Sequence, residues 1–505
     1  MNDSISLNQP LTELLQDTYR YLNAPTTLVH LLTTNAPPSP AQASLVEQVL
    51  ISLDRAIKAL DAEILHLEMK RAELTSQRIV HQRIMSPLRM VPPEVMVEIF
   101  YRALPFPEFA KNKKARHLIH KRTLSTLLNL SLVSRHWCEI VHGTPQLWDS
   151  VSLDLNDSPN CLIAVQKALT WAGRSETPPL TVTLTGLGAS TTPYIKEFID
   201  GSNLSRWADV HLRISRIKDS PFHSRRKWDS LHSLSISVDG DRSVALNSSL
   251  FLDDAPNLRK LRVVESWPIS KSIEAPWSQL TTLHLYNKST PSAALSILEK
   301  CSNIEELELD LTHGPDSSLP SPLTAILLPC LKRLSLAPNA SFLISHIRAH
   351  RVSEITLRGS HRTDIVIMIE SFIERSMCYI GKLAFMETSF DDEEMFSIIR
   401  LFHGLKELLI HSSKLTGVLF QRLPSSAVDE IESLDLEVSP EFNRLFLAQY
   451  LDLRQWQSQL KYSGYTRVKR LSLKYISNPS FDLLIPARLL DSLHKRGMEI
   501  HVDPY

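Results

Sequence analysis

A six-residue phrase, apolar-x-x-apolar-x-apolar, recurs thirteen times from Trp148 onward and constrains the fold more than any other feature of the chain. It runs WDSVSL from Trp148, PLTVTL from Pro179, WADVHL from Trp207, LHSLSI from Leu231, LRKLRV from Leu258, LTTLHL from Leu280 and IEELEL from Ile304. It continues with LKRLSL from Leu331, VSEITL from Val352, IGKLAF from Ile380, LKELLI from Leu405, IESLDL from Ile431 and VKRLSL from Val468. Successive starts lie 21 to 37 residues apart. Near-periodicity at this length marks a stacked array built from one supersecondary unit. The end of each phrase alternates apolar and variable residues, as a strand with one buried face would. An ordinary α/β domain gives no reason for such a period.

The ninth position of the phrase is small and polar in ten cases: Asn156, Ser215, Asp239, Ser266, Thr312, Asn339, Ser360, Thr388, Ser413 and Ser439. Leu187, Lys288 and Ile476 break the rule. A side chain of this kind offers hydrogen bonds to backbone groups leaving a strand. Between phrases, 292–301 (SAALSILEKC) and 391–402 (DDEEMFSIIRLF) have helical spacing, the second with an acidic start. Residues 441–456 read as an extra helix, and the tail as a closing helix with a last strand. Strand, turn and helix in repetition resemble the plan of leucine-rich repeats in a degenerate form. The fold class expected is α/β: a leucine-rich-repeat solenoid over 148–505 with a C-terminal cap.

Upstream, residues 1–43 carry no clear pattern beyond a short helical stretch at Leu11–Leu22, and Thr33–Gln42 (TTNAPPSPAQ) reads as loose chain. From Ser44 to about residue 85 the pattern is helical. Leu50, Leu53, Ile57, Leu60, Ile64, Leu67 and Leu74 fall at alternating steps of three and four, and Arg71 and Arg78 continue the register. Such a heptad stripe suits either a coiled-coil homodimer through 44–85 or a single helix packed on its own protein. Pro87 ends it.

Residues 86–150 read as three short helices. Pro92 and Pro93 suit a first helical turn, where a missing N–H is harmless, and Glu94 complements the helix dipole. Val95, Ile99 and Leu104, with Phe100 beside them, form an apolar face. A basic stretch, Lys111–Arg122, follows. A second helix runs from Leu124 to about Val133 and a third from Arg135 to Val141, before a turn that ends in Trp148. Helices this short cannot bury all their apolar surface among themselves. Trp148 both closes this segment and opens the first phrase, which predicts a junction without a flexible linker.

The motif carried by Val91, Pro92, Pro93, Glu94, Val95, Ile99 and Phe100, then Leu130, Val133, Arg135 and Trp137, closed by Pro145, Leu147 and Trp148, resembles the F-box. Val91 stands where Leu is commoner, and the basic stretch lengthens the first gap. The resemblance covers roughly 60 of 505 residues. Joined to repeats, it implies a substrate receptor of an SCF-type (Skp–cullin–F-box) ubiquitin ligase. Pro92, Val95, Ile99, Phe100, Val133 and Trp137 would bind the Skp adaptor, and through it a cullin–RING scaffold, while the repeats would bind an unknown target protein. The alternative is a non-ligase interaction scaffold whose helical segment only caps the repeats.

Chemistry of the chain's own is not expected. No GxSxG, GxxxxGK[ST] or HExxH pattern occurs, Gly is scarce at 13 residues, and TGLGAS (Thr185–Ser190) reads as a turn. His117, His120, His136 and His142 lie near Cys138 without a zinc spacing. Asp253/Asp254 and Asp391–Glu394 read as helix starts. No cofactor or metal is expected. The 55 basic and 55 acidic side chains balance, so nucleic acid is not an expected partner, nor is a membrane. Five scattered cysteines and the absence of a secretory pattern suit the cytoplasm, the nucleus or both. The remaining candidate is the outward face of the phrases. Arg259, Lys260 and Arg262 form a basic block, Glu305, Glu306 and Glu308 an acidic one, and Lys332 and Arg333 a second basic one. Such blocks either read a charged target or neutralise one another across strands.

Overall fold

The computed structural model describes residues 34–85, 87–104, 126–155, 161–175, 179–188, 204–215, 220–238, 249–264, 273–287, 291–311, 325–359, 364–412, 414–423, 430–438, 444–458, 468–475 and 497–503, with a few single positions besides. The fold is α/β: an N-terminal helical region, a small helical segment and one large parallel sheet. The chain divides into two compact units, Met1–Met96 and Val97–Tyr505.

In the first unit, helix α1 (Pro40–Ile84) is 45 residues long. It starts earlier than the heptad pattern suggests. Ser39 and Gln42 form a reciprocal cap: Ser39 N donates to Gln42 Oε1 at 2.9 Å, and Gln42 N donates to Ser39 Oγ at 3.4 Å. With Pro40 in the first turn, the stretch that reads as loose chain is a helix start. Ala56 is buried and Leu53 half-buried, whereas Ile57, Leu60, Ile64, Leu67 and Leu74 face solvent. The expected helix at Leu11–Leu22 lies outside the described residues, except for a helical Gln16.

Helix α2 (Pro93–Ala103) contains the boundary between the units. Helix α3 (126–133) and helix α4 (Arg135–Gly143) follow, separated only by Ser134. That residue is extended and its hydroxyl accepts from Trp137 N at 3.1 Å, so it ends one helix and caps the next. A 3-10 turn, Pro145–Trp148, leads directly into the sheet.

Fourteen strands form that sheet, and every neighbouring pair is parallel. They are β1 (Ser150–Asp154), β2 (Leu180–Leu187), β3 (Trp207–Ile214), β4 (Ser233–Val238), β5 (Lys260–Val264), β6 (Thr282–Asn287) and β7 (Glu306–Leu311). Then come β8 (Arg333–Leu336), β9 (Glu354–Arg358), β10 (Lys382–Thr388), β11 (Glu407–Ser412), β12 (Ser433–Val438), β13 (Arg470–Tyr475) and β14 (Glu499–Asp503). The first thirteen are the thirteen phrases, and spatial order is chain order. The fourth and sixth phrase positions are buried, as in Leu261 and Val263, Leu307 and Leu309, or Leu434 and Leu436. Each such Leu contributes roughly 1.5–3 kcal/mol by leaving water.

The phrases also share a backbone device. From His232 to Glu432, nine successive carbonyls at the second phrase position each accept two N–H groups from the next phrase. Thus Thr281 O receives Glu305 N at 2.8 Å and Glu306 N at 3.0 Å. Both lone pairs are used where each strand enters the sheet.

Helices α5 (Cys161–Arg174), α6 (Pro291–Leu298), α7 (Ile365–Ser376), α8 (Asp392–Ile399), α9 (Leu419–Arg422) and α10 (Arg444–Ser458) lie between strands. Asp391 caps α8 through a capping box with Glu394, as the acidic run suggests. Asp253 and Asp254 do not start a helix: they sit in turns, with Asp253 3.5 Å from Arg225 and Asp254 O accepting from Trp228 N. TGLGAS contains a bulge rather than a simple turn. Gly186 has φ 74° where the β2–β3 register slips, and the slip turns Leu187 into the core. Of the ninth-position residues, Ser215, Asn339 and Thr388 are described; the other seven polar ones lie outside the described residues. At Thr388 the working group is the carbonyl, which accepts Ser412 Oγ at 2.8 Å, while its own hydroxyl is buried without a partner.

Asp392 is 7% exposed and ties two repeats together. Its carboxylate accepts from Thr416 N, Thr416 Oγ1 and Leu419 N at 3.0, 3.0 and 2.8 Å. Asp392→Ala should therefore cost about 3 kcal/mol in chemical denaturation, against about 1 kcal/mol for Asp391→Ala, which removes only a cap.

Candidate functional site

Two surfaces offer themselves: the faces of the short helices, and the open face of the sheet. In the helical segment the internal core comes first. Phe100, Leu127, Ile140, Val141, Leu147 and Trp148 are buried. The Phe100 ring packs on Trp137 with centroids 4.9 Å apart. Trp148 is locked in place: its Nε1 donates to Val141 O at 2.7 Å, its ring meets Trp171 edge-on at 4.9 Å, and Arg174 lies 4.7 Å over its face. His142 stacks on the same ring. Burial, with Arg174 beside it, holds the His142 pKa below its usual range.

The side chains left over are apolar and face water. Val95 and Ile99, one turn apart on α2, are 49% and 45% exposed. On α3, Leu128, Leu132 and Val133 are 45%, 82% and 60% exposed. Pro92 is exposed and Trp137 half-buried. Phe100 does not belong with them. At 1% exposure it is a core residue, since α2 turns positions 96 and 100 one way and 95 and 99 the other. Leu128 and Leu132 are absent from the sequence-based set, although their i, i+4 spacing places them on one stripe. Lys111–Arg122, His117 and His120 lie outside the described residues.

On the sheet, the acidic block is neutralised from the following strands. Lys332 meets Glu305 at 2.8 Å, Arg333 meets Glu306 at 2.5 Å, and Arg358 reaches past Ser335 to Glu308 at 2.8 Å. Glu308 is 8% exposed and also faces His284 at 3.4 Å. Burial would raise Glu306, but Arg333 outweighs it and holds the carboxyl below its usual range. Burial pushes His284 down, with Arg262 adding to it, against the upward pull of Glu308 and Glu306. The pattern continues as an alternating ladder. Lys382 sits 3.1 Å from Glu354 and 4.0 Å from Glu407, and Arg470 is 3.1 Å from Glu407. His411 repeats the His284 arrangement, 3.4 Å from Asp435 and 3.5 Å from Glu437. Glu305, Glu306, Lys332 and Arg333 thus satisfy one another and Glu308 is met by Arg358 and His284, whereas Arg259, Lys260 and Arg262 form no ion pair among the described residues.

Among the described residues no group of three His, Cys, Asp or Glu could hold a metal ion, and no helix is long and apolar enough to cross a membrane. Cys138, Cys301, Cys330 and Cys378 are unpaired. Burial pushes Cys301 up to about 12 and Cys378 up to about 11, which leaves both as inert thiols.

A short helical module with apolar side chains still in water leads without a linker into a parallel sheet. The family model described as F-box-like matches residues 88–154, and the chain carries an F-box-like domain there. No curated protein matches the chain.

Burial pushes Asp149, beside Trp148, up to about 6, against a backbone hydrogen bond that lowers it. The folded state therefore holds this proton more tightly than the unfolded chain, and the stability it supplies at low pH is lost as pH rises through the window from about 4 to about 6. Asp149→Asn, neutral throughout, should melt above the parent at about pH 8, and the margin should vanish toward about pH 4.

Proposed function

We propose that this chain is the substrate-recognition subunit of an SCF-type E3 ubiquitin ligase, with its parallel sheet acting as a degenerate leucine-rich-repeat solenoid that holds target proteins. The observation that carries the reading is the exposure of Val95, Ile99, Leu132 and Val133 on a domain of the F-box-like family. These side chains, with Pro92 and Trp137, dock on the Skp adaptor, and the adaptor brings a cullin–RING scaffold. The alternative, a helical segment that only caps the repeats, calls for those faces to be buried, and their exposure favours docking. The receptor itself performs no bond-making. It raises the local concentration of a target lysine beside a charged conjugating enzyme, and effective molarity does the rest. The cytoplasm or nucleus is the compartment for such a subunit. Co-expression with the Skp adaptor should yield a stable complex. Val95→Asp with Val133→Asp should reduce capture about tenfold or more while the melting temperature stays near the parent's, because both side chains are exposed. Full capture by this variant would remove the docking assignment.

Helix α1 adds a second copy of the chain as a partner. Ile57 and Ile64 occupy one heptad position and Leu60, Leu67 and Leu74 the other, the distribution that favours two parallel strands, and all five face solvent. Arg71 and Arg78 limit the seam. Light scattering should give the mass of a dimer, and Ile64→Asp with Leu67→Asp that of a monomer; a monomeric parent would exclude the pairing.

A further inference from the structure

Among the described residues the basic block on β5 makes no ion pair, and its neighbours explain why. Across the register, Lys260 lies between Ser233 and Thr282, and Arg262 between Ser235 and His284. The guanidinium of Arg259, just before the strand, donates among the described residues only to the carbonyls of Pro256 and Leu258. Lys260 and Arg259 are exposed, and the Lys260 ammonium makes no polar contact among the described residues. Arg262 lies 4.9 Å over the Tyr286 ring. The nearest acids on this face stand two strands away, Asp209 on β3 and Glu306 and Glu308 on β7, and no ion pair among the described residues joins any of them to this block.

Strand β4 presents nothing but serines on the same face: Ser233, Ser235 and Ser237. Their hydroxyls make no hydrogen bond within the described chain. On either side stand the longer side chains of β3 (Asp209, His211, Arg213) and of β5. Since neighbouring strands lie about 4.8 Å apart, the two walls are about 10 Å apart, which is room for one extended chain. The trough has a hydroxyl floor, a basic rim on β5 and a rim of mixed charge on β3, where Asp209 stands across Ser233 from Lys260. Among the described residues it offers no free aromatic face on which bases could stack, since Tyr286 is covered by Arg262.

We infer that the β3–β5 trough binds an acidic, extended segment of a target polypeptide, with Arg259, Lys260 and Arg262 meeting its carboxylates and the β4 serines hydrogen-bonding to it. This deepens the receptor reading above, by assigning the target's chemistry to one part of the sheet. Acidic side chains would find here the cations that β7 takes from β8 and β9 further along.

The test uses the full chain alone, so that it does not depend on adaptor docking, which is measured separately by co-purification. A fluorescent Glu/Asp-rich peptide is titrated by anisotropy beside its Gln/Asn counterpart. The parent should bind the acidic peptide, less tightly as salt rises, and should not bind the neutral one. Arg259→Glu with Lys260→Glu and Arg262→Glu should weaken binding about tenfold or more. Lys300→Glu with Arg351→Glu and Arg400→Glu, the same charge change at other exposed positions, should leave it within about twofold. If the triple variant unfolds, Arg259→Ala with Lys260→Ala, both exposed, gives the same comparison. No binding by the parent, equal binding of the neutral peptide, or equal loss in the control would each overturn the inference. So would tighter binding of a single-stranded oligonucleotide that is lost in the same triple variant. Failure of the peptide with intact adaptor capture removes only the trough; lost capture with intact peptide binding removes only the docking.

Discussion

Every strand of the large sheet depends on its neighbours for its backbone hydrogen bonds. A single repeat has one short strand and has nothing of its own to pair it with. The nine doubly used carbonyls from His232 to Glu432 show how closely the dependence is kept, since each repeat receives its successor in the same way. Burial follows the same rule. Leu307 and Leu309 are sealed because Leu283 and Leu285 lie on one side and Leu334 and Leu336 on the other. The array therefore stands or falls by its interfaces, and a joint such as Asp392, which reaches from α8 to Thr416 and Leu419, matters more than its single charge suggests.

That dependence leaves one face of the sheet free of structural duty. The residues between the buried ones have to be soluble and not repel each other. Over β7 to β11 the solution is alternation: Glu306, Arg333, Glu354, Lys382 and Glu407 lie across successive strands with opposite charges adjacent. Serine at 335 permits the longer reach of Arg358 to Glu308. Exposed pairs of this kind add little individually, so their effect lies in quieting the surface rather than in holding the fold. Against that background the β5 block, without an ion pair among the described residues and beside a strand of serines, stands apart.

The helical segment shows the opposite economy. Its few residues build a core around Phe100, Trp137 and Trp148, and Trp148 then fixes the entry to β1. What remains outside is apolar. Val95, Ile99, Leu132 and Val133 carry no duty inside the described fold, which is why they invite a partner.

The amino-acid sequence by itself determined the period, the thirteen strand positions and the helical segment, because alternation and spacing are local properties that no packing detail reverses. It also held the residues of both candidate surfaces. Which of them are available was decided only in three dimensions. Phe100 and Ile99 are adjacent in sequence and equally apolar, yet one is core and the other surface, because the direction of a helix face depends on what packs against it. Glu305 and Arg259 look alike as members of charged blocks. Only the strand register gives one a partner at 2.8 Å and denies it to the other, and register is set by buried leucines rather than by the charges themselves.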